Sequence, residues 1–366
     1  GRMFALCTER GRLEISSRGE IVRLCHGETE YLETTAAAPL ASVWYAEAAS
    51  MWQATAWQEL APDNPTVSEI PGGVCVAADT FGGKAVRVRI EITADRREFR
   101  FRVTVRNDDA GVVAAVAAPR IEGFRDRGGD TLYVPNVSGR RAAQPFHAFR
   151  ERTARYTYPV PLSSQFLTCN TGAAGWALFC FDETIRHKNL ILGGPRRALD
   201  TVQYCFTEAG GTEMLAPVVL ATYDGTWHAA ADRYRDWFES WCRRPKLSRL
   251  VAEMTPTRSV VVRARPVDDP ALPDIRKEME TGSYAGAIAH IREAKAQGYQ
   301  GVHLVGWHDR GHDTDFPEYL PTERMGGKEE MKRMAAFARR EGMSLCYYLN
   351  AHLCNVNSAL YHRNKH

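Results

Sequence analysis

A cluster of aromatic and ionisable side chains follows the short apolar segment Gly301–Val305, and it contains Trp307, His312, Asp313 and Asp315. An indole such as that of Trp307 offers a flat apolar face to the C–H side of a pyranose ring. Short carboxylates and an imidazole bind sugar hydroxyls through charge-assisted hydrogen bonds. The cluster therefore predicts a binding site for a sugar ring, with His312 and Asp313 as its main hydroxyl ligands.

Structural roles compete with sugar binding at two of these positions. Aspartate is common in Asx turns and helix caps, so Asp313 could bond to its own backbone instead of to a ligand. The indole of Trp307 could be an aromatic group packed at the rim of a site. We favour a sugar contact at both positions and keep packing as the alternative.

A metal ion is a second chemistry to weigh for this cluster. His308, His312, Asp313 and Asp315 are compatible in type with zinc or manganese. The two histidines would share a face only on a helix, and Gly311 and the loop-like composition argue against a helix here. The aspartates also lack the spacing of an EF-hand calcium loop. We therefore expect no metal and no organic cofactor.

Alternating strand and helix patterns surround the cluster. The predicted elements, in chain order, are a strand over residues 259–264, a helix over 284–297, a strand over 301–305, a helix over 328–340 and a strand over 344–350. This order with short connections predicts the opening of a parallel (β/α) barrel of the TIM type. In such folds the loops after the strand C-termini carry the chemistry, which is where the cluster lies.

The predicted barrel is incomplete. A complete (β/α)8 barrel needs about 250 residues, which is more than residues 258–366 provide. We therefore expect only the first strands of a catalytic barrel in this range. The alternative is a small open three-stranded α/β domain. Tyr348 lies near the end of the last predicted strand and is a weaker candidate for a contact with the same sugar.

Residues 1–223 show a different pattern, in which apolar and polar side chains alternate, most clearly over residues 86–92 and 99–105. Alternation with a period of two predicts antiparallel strands with one solvated face. Strands without intervening amphipathic helices favour a large β-sandwich. Residues 176–180 and 218–220 are apolar on both faces, so we expect them to form central strands.

A helical pattern begins after Asp224. Trp227, Ala230, Ala231 and Tyr234 lie on one apolar stripe, as in an amphipathic helix. A polar segment with two prolines follows. We therefore expect residues 224–257 to form a linker helix and linker between two domains.

Several short motifs in the second part of the chain carry a resemblance to known enzymes. They are Gly306-Trp307, Gly311-His312-Asp313, Pro317-Glu318-Tyr319, Gly326-Gly327 and Tyr347-Tyr348-Leu349-Asn350. The series resembles bacterial glycoside hydrolases that join an N-terminal β-supersandwich, similar to galactose mutarotase, to a catalytic (β/α)8 barrel. It is distantly similar to α-galactosidases and endo-α-N-acetylgalactosaminidases. The order of sandwich, linker helix and barrel agrees with this resemblance over nearly the whole chain, whereas the motifs cover residues 301–352.

The resemblance implies hydrolysis of α-linked hexose or N-acetylhexosamine glycans, with an oligosaccharide or glycoside as substrate. It implies a −1 subsite in which Asp313 binds vicinal hydroxyls and Asn350 adds a polar contact. Hydrolysis needs two carboxyl groups that flank the bond, about 5 Å apart for retention or about 6.5–9.5 Å for inversion. Asp309, Asp313, Asp315 and Glu318 share one loop beside one face of the sugar. In the families it resembles, the catalytic pair comes from the fourth and later strands, so we assign neither catalytic residue.

Two other functions stay open from the sequence. A barrel without catalytic acids would be a non-catalytic carbohydrate-binding protein. The sandwich could instead carry aldose epimerase or mutarotase activity, because that fold uses a His and a Glu for acid–base chemistry. His147 and His187 have the polar neighbours for such a role, although both are of a kind often found in surface loops.

Composition argues against several classes of partner. The 366 residues carry a formal charge of +3, with 47 basic and 44 acidic side chains interspersed, so no basic face suited to nucleic acid stands out. No apolar run approaches the roughly 20 residues of a membrane span, and the first residues do not form a signal peptide. The nine cysteines include no Cys-x-x-Cys pair, which indicates reduced thiols. We expect a cytoplasmic protein without nucleic-acid or membrane partners.

Overall fold

The computed structural model describes residues 2–33, 38–253, 257–262, 280–308, 316–351 and 353–364. The chain divides into two compact units, Gly1–Arg244 and Pro245–His366. Antiparallel sheets make up the first unit, and a small parallel sheet with helices makes up the second. This mostly antiparallel fold with a small α/β part agrees with the sequence patterns.

The first unit contains strands and two α-helices, with a 3-10 turn at Met51–Gln53. The helices are α1 Pro145–Ala148 and α2 His228–Trp241. The strands are β1 Met3–Cys7, β2 Gly11–Ser16, β3 Ile21–His26, β4 Thr29–Glu30, β5 Ser42–Ala46, β6 Gln58–Leu60, β7 Pro62–Asp63, β8 Thr66–Ile70, β9 Gly73–Ala78, β10 Thr80–Phe81, β11 Val86–Ala94, β12 Glu98–Asn107, β13 Val112–Ile121, β14 Asp130–Val134, β15 Arg140–Ala143, β16 Thr153–Tyr158, β17 Phe166–Thr171, β18 Ala174–Cys180, β19 Lys188–Gly193, β20 Ala198–Thr207, β21 Thr212–Met214 and β22 Val218–Asp224.

Two large sheets dominate the described part of this unit. The larger has ten strands in the order β15-β14-β17-β18-β22-β12-β11-β9-β8, with β21 also paired to β12. The other has six strands in the order β16-β19-β20-β13-β5-β6. Strands β1 to β4 form a third sheet, and β7 pairs with β10. Side chains from both large sheets and from the third sheet share one apolar core.

Strands β11 and β12 show how the alternating sequence builds this core. Ile90 lies opposite Val103 in the antiparallel ladder, and both side chains are buried. Their neighbours Arg89 and Arg102 are exposed on the other face. The prediction of antiparallel strands with one solvated face is therefore confirmed for this pair.

Strands β18 and β22 are apolar on both faces because a helix covers the outer one. Phe179 of β18 packs with Ala230 and Tyr234 of α2, whereas its neighbour Leu178 lies in the core. Both strands have partners on each side in the ten-stranded sheet, which confirms that they are central.

Helix α2 packs on the first unit, whose last residue is Arg244. The sequence predicts a linker over residues 224–257, and the helical part of that range is a layer on the ten-stranded sheet. Its apolar stripe explains the packing, because Tyr234 stacks on Phe166 and Trp237 stacks on Phe181. A free linker helix would leave this aromatic surface in water.

The second unit has a parallel sheet and four described α-helices, with a 3-10 turn at Glu323–Met325. The strands are β23 Thr257–Val262, β24 Glu280–Thr281, β25 Gly301–Val305 and β26 Ser344–Tyr347, and the helices are α3 Arg249–Glu253, α4 Tyr284–Ala296, α5 Gly327–Arg340 and α6 Ala359–Asn364. The sheet order is β24-β23-β25-β26, with every pair parallel. These strands do not close into a barrel, so the barrel stays a prediction.

Helices α4 and α5 bury their apolar stripes with the parallel sheet. Ile291 of α4 and Met334 of α5 join Val260 and Leu304 in one core. Helix α4 begins at Tyr284 because the Ser283 hydroxyl oxygen accepts a hydrogen bond from the Gly286 N–H at 3.0 Å. The order of strand, helix, strand, helix and strand matches the predicted order, with β24 as a short addition.

Candidate functional site

The carboxyl ends of β25 and β26 bring two predicted site segments to one edge of the parallel sheet. Leu304 pairs with Tyr347, and the Tyr348 N–H donates to the Leu304 carbonyl oxygen at 2.9 Å. The chain continues from β25 into Trp307 and from β26 into Asn350. Trp307, Tyr348 and Asn350 therefore follow neighbouring strand ends, which is the edge that carries the chemistry in β/α folds.

The Trp307 indole connects the two strand ends. Its Nε1–H donates to the Tyr348 carbonyl oxygen at 3.0 Å, and the side chain is only 7% exposed. The ring lies nearly parallel to Tyr319, with centroids 6.0 Å apart, and edge-on to Tyr347 at 5.1 Å. Burial raises the pKa of Tyr347. Trp307 thus belongs to the core of the second unit, and its predicted contact with a sugar stays a prediction.

The hydroxyl of Tyr284, at the start of α4, fixes the Trp307 backbone. Its hydroxyl donates to the Trp307 carbonyl oxygen at 2.6 Å and accepts from the Thr322 N–H at 3.1 Å. The Tyr284 side chain is fully buried. Sequence reasoning placed Tyr284 only at the first position of the predicted helix over residues 284–297, and a hydroxyl at the start of an apolar stripe was the available signal.

Tyr319 holds the segment after β26 in a similar way. Its hydroxyl donates to the Asn350 carbonyl oxygen at 3.1 Å and accepts from the Asn350 N–H. The Asn350 side-chain oxygen accepts from the Leu353 N–H at 3.2 Å. Tyr348 is half-buried, and its ring centroid lies 6.1 Å from that of His303. The sugar contacts predicted for Tyr348 and Asn350 are not tested by these bonds and stay predictions.

Three of the predicted ligands, His312, Asp313 and Asp315, lie outside the described residues, as does Asp309. The residues that flank them are buried: His308 is fully buried and Phe316 is 3% exposed. The His308 ring packs edge-on against Tyr319, with centroids 4.9 Å apart. The described residues on either side of this range are therefore buried aromatic side chains.

Glu318 has a structural role at the same edge. Its two carboxylate oxygens accept from the Ala359 and Leu360 N–H groups at 3.2 and 3.1 Å, at the start of α6. A carboxylate at a helix N-terminus satisfies free N–H groups and interacts favourably with the helix dipole. This bonding explains Glu318 without a catalytic role.

No group of three or more His, Cys, Asp or Glu suited to a metal ion occurs within the described ranges. Of the residues weighed for a metal, only His308 lies in those ranges. Among the helices that the structure describes, none is both long and apolar enough to cross a bilayer.

The two sandwich histidines have different neighbours. His147 in α1 lies 3.5 Å from the Asp126 carboxylate and 3.4 Å from the Arg150 guanidinium. His187 is exposed and packs against Tyr204, with centroids 4.7 Å apart. Partial burial and the Lys188 charge lower the pKa of His187. Their described contacts include no shared acid–base pair.

Residues 214–366 match the profile of a family described as a domain of unknown function, DUF6259. No functionally curated protein matches the chain in sequence. The fold is similar to that of the α-N-acetylgalactosaminidase NagBb from Bifidobacterium bifidum. The TM-score is 0.66 at 13% identity for its Gal-NHAc-DNJ complex and 0.62 at 15% identity for its GalNAc complex. The galactosidase domain of the α-galactosidase–sucrose kinase AgaSK gives 0.50 at 12% identity.

These matches cover 94% of this chain for NagBb and 99% for AgaSK, and 58% of each of those chains. The chain therefore spans less than two thirds of the length of the structures it resembles. At these identities the likeness is one of fold. The fold of this chain thus resembles that of α-galactosidase and α-N-acetylgalactosaminidase glycoside hydrolases.

Proposed function

We propose that this chain comprises the β-supersandwich and the first β/α units of a glycoside hydrolase that acts on α-linked hexose or N-acetylhexosamine glycans. One observation carries the proposal: parallel strand ends, with Trp307 and Asn350 held by hydrogen bonds at one edge, occur within a fold similar to that of an α-N-acetylgalactosaminidase. In β/α enzymes this edge is where the substrate binds. The complex of NagBb with GalNAc supports the choice of substrate class in this proposal.

Hydrogen bonds hold described residues at the carboxyl edge. Trp307 is held through its indole N–H and through its carbonyl oxygen, and Tyr319 bonds to the Asn350 backbone. Our proposal places His312, Asp313 and Asp315 against the sugar hydroxyls, with Asn350 and Tyr348 at the next strand end.

Bond cleavage requires a general acid and a nucleophile or base on opposite sides of the glycosidic bond. We propose that both carboxylates come from later barrel strands, as in the enzymes with this architecture. Glu318 is unsuited to either role because its carboxylate caps α6.

Hydrolysis of aryl α-N-acetylgalactosaminide and aryl α-galactoside by the natural-length protein tests this proposal, with the β-anomers as negative controls. Asp313→Asn should lower kcat/KM about 10- to 100-fold, because an unpaired sugar hydroxyl costs about 1–3 kcal/mol. The matched control is Glu329→Gln, a loss of the same charge at an exposed position of α5, and it should act as the wild type does.

The other outcomes distinguish the alternatives. Binding of N-acetylgalactosamine that Asp313→Asn abolishes, without hydrolysis of any α-glycoside, would establish a carbohydrate-binding protein. Interconversion of sugar anomers that is lost on substitution of His147 or His187 would establish an epimerase. Equal kcat/KM for Asp313→Asn and Glu329→Gln would contradict the proposed ligand loop.

A further inference from the structure

A groove on the first unit combines aromatic and basic side chains, and the proposed hydrolase chemistry does not use it. This Trp227 groove is lined by the turn between β14 and β15, by Ser163 and Phe166, and by Trp227 next to α2. Its volume is about 490 Å³. Sites for small molecules commonly have volumes of about 300–1,000 Å³.

Two stacked rings form the apolar surface of the groove. The Tyr133 and Trp227 centroids lie 5.5 Å apart with an interplanar angle of 22°, and both side chains are half-buried. Trp227 is also held by its stack on His228 at 4.0 Å, and the His228 Nδ1 lies 2.9 Å from the Thr226 hydroxyl. The rings are therefore held in place before any ligand arrives, and they retain exposed apolar surface.

One arginine shares the face of the ladder that carries Tyr133. Arg141 lies directly opposite Tyr133 in the β14–β15 ladder, so both side chains project from the same face, and Arg141 is exposed. Its neighbour Arg140 lies opposite Val134, so its side chain projects from the other face. No Asp or Glu is among the described lining residues. The groove thus presents positive charge without a lining carboxylate to balance it.

A second cavity of the same unit shows the contrasting case. Its Arg10, Arg96 and Arg233 are paired with Asp224, Glu9 and Glu98 at 2.6, 2.5 and 2.9 Å. Three of the four arginines that line that cavity therefore have carboxylate partners. In the Trp227 groove, the described lining offers no carboxylate to pair with Arg141, so a bound anion would supply the opposite charge.

The β14–β15 turn is held in an unfavourable backbone conformation at the edge of the groove. Val137 has a φ of 57°, a left-handed conformation that is rare for a β-branched residue. Its side chain is 68% exposed, so burial of the side chain does not offset this conformation. Strained residues of this kind concentrate at ligand sites, where the surrounding structure holds them.

We propose that the Trp227 groove binds an acidic saccharide residue, with the pyranose against the surface that the Tyr133–Trp227 pair leaves exposed and its carboxylate or sulfate on Arg141. Guanidinium groups bind carboxylate and sulfate through paired hydrogen bonds, and aromatic faces bind the C–H side of a sugar. A neutral sugar would use only the rings. The choice of a saccharide over another flat anion rests on the proposed function, whereas the site itself uses residues of the first unit alone.

Isothermal titration calorimetry of the wild-type protein with four probes tests this inference. The probes are methyl β-D-glucuronide, glucose 6-sulfate, methyl β-D-glucoside and adenosine 5′-monophosphate. We expect at least one acidic sugar to bind ten times or more tighter than the neutral glucoside, and tighter than the nucleotide. The ratio of the Kd values for methyl β-D-glucuronide and glucose 6-sulfate identifies the preferred anion.

Arg141→Gln should remove the preference for the acidic sugar, and Arg140→Gln, on the other face of the ladder, should retain it. The matched control is Arg102→Gln, which removes the same charge from an exposed position of β12 outside the groove, and it should retain the preference. Three outcomes would each overturn the inference. The first is equal affinity for the glucuronide, the sulfate and the glucoside, and the second is tighter binding of the nucleotide. The third is that Arg141→Gln and Arg102→Gln bind the probes with the same affinities.

Hydrolysis of the aryl α-glycosides separates this inference from the proposed function. Arg141→Gln should hydrolyse them as the wild type does, because the groove lies in the first unit. A protein that prefers acidic sugars through Arg141 but hydrolyses no α-glycoside would retain this inference and refute the proposed function.

Discussion

The two units bury polar groups in different ways. In the first unit, the ammonium group of Lys188 is fully buried and bonded to the Asp182 carboxylate at 2.9 Å and the Gln165 side-chain oxygen at 2.8 Å. In the second unit, the Tyr284 and Tyr319 hydroxyls and the Trp307 indole N–H bond to backbone at the carboxyl edge, and the Glu318 carboxylate there bonds to the N–H groups at the start of α6. The first unit thus joins opposite charges in its interior, and the second fixes backbone with neutral donors.

The two kinds of bond have different structural roles. A buried ion pair is strongly destabilising when one partner is removed, so it ties distant strands into a single arrangement. A neutral hydroxyl bonded to backbone positions a loop and adds no fixed charge to the site.

The largest effect should come from breaking the buried pair in the first unit. Lys188→Met leaves the Asp182 carboxylate, which is 3% exposed, without its cation. Burial acts to raise the pKa of Asp182, and hydrogen bonds from Thr184 and Lys188 bring it below its ordinary value. We expect the free energy of unfolding to fall by about 3–5 kcal/mol, measured by urea titration.

Lys84→Met is the matched control, because Lys84 pairs with the exposed Glu47 carboxylate. Surface pairs of this kind contribute about 0–1 kcal/mol. A Lys188→Met protein as stable as Lys84→Met would show that the buried pair does not hold the first unit together.

A second ion pair in the first unit, Arg120–Asp200, should contribute more to the free energy of unfolding at low pH than at neutral pH. Burial raises the pKa of Asp200 to about 6 from 3.8, although Arg120 at 3.4 Å acts to lower it. The folded state therefore keeps this proton longer than the unfolded chain. The stability contribution is fully present below pH 3.8 and is lost as the pH rises through about 6.

Asp200→Asn should remove this dependence. At about 1.4 kcal/mol per pKa unit, the difference in unfolding free energy between variant and wild type should change by roughly 3 kcal/mol between pH 3.5 and pH 7. Urea titrations at several pH values measure it, and the slope is independent of any constant offset from the lost Arg120 contact. Parallel profiles for the two proteins would refute the raised pKa.

A smaller effect is expected from the neutral network of the second unit. Tyr284→Phe removes one hydroxyl and leaves the Thr322 N–H and the Trp307 carbonyl without this partner. We expect a loss of about 1–3 kcal/mol in the local stability of the loop, measured by hydrogen exchange of the Thr322 and Tyr348 amides. Tyr299→Phe, on the turn after α4, is the control. Equal exchange rates of these two amides in both variants would show that the Tyr284 hydroxyl does not fix the backbone at Trp307 and Thr322.

The smallest effect is expected at Glu318. Glu318→Gln removes the charge that caps α6, which should cost about 0.3–1 kcal/mol. Faster exchange of the Ala359 and Leu360 amides, with unchanged exchange in α4, is the expected result. A large loss of hydrolytic activity in this variant would instead indicate that Glu318 acts on the substrate.

The sequence predicted those parts of the fold that depend on local patterns. The alternation in β11 and β12 has a period of two over many residues, so it indicated strands and their buried faces directly. The spacing of apolar residues in α4 and α5 indicated helices in the same way. Both patterns can be recognised within one segment of chain.

Contacts between distant segments could not be predicted in this way. Lys188 is buried because Gln165 and Asp182 meet it in the fold, and a lysine at the start of a strand gives no sign of burial. The Tyr284 hydroxyl reaches partners 23 and 38 residues away. The stack of Trp227 on Tyr133 depends on how α2 follows β22. Each of these requires the tertiary arrangement of several elements.

A crystal structure of the protein with N-acetylgalactosamine tests the central claim most directly. The account predicts the sugar at the carboxyl edge of β25 and β26, with hydroxyls bonded to Asp313 and within reach of Asn350. A fully occupied sugar elsewhere on the protein, with this edge empty in the same crystal, would contradict it.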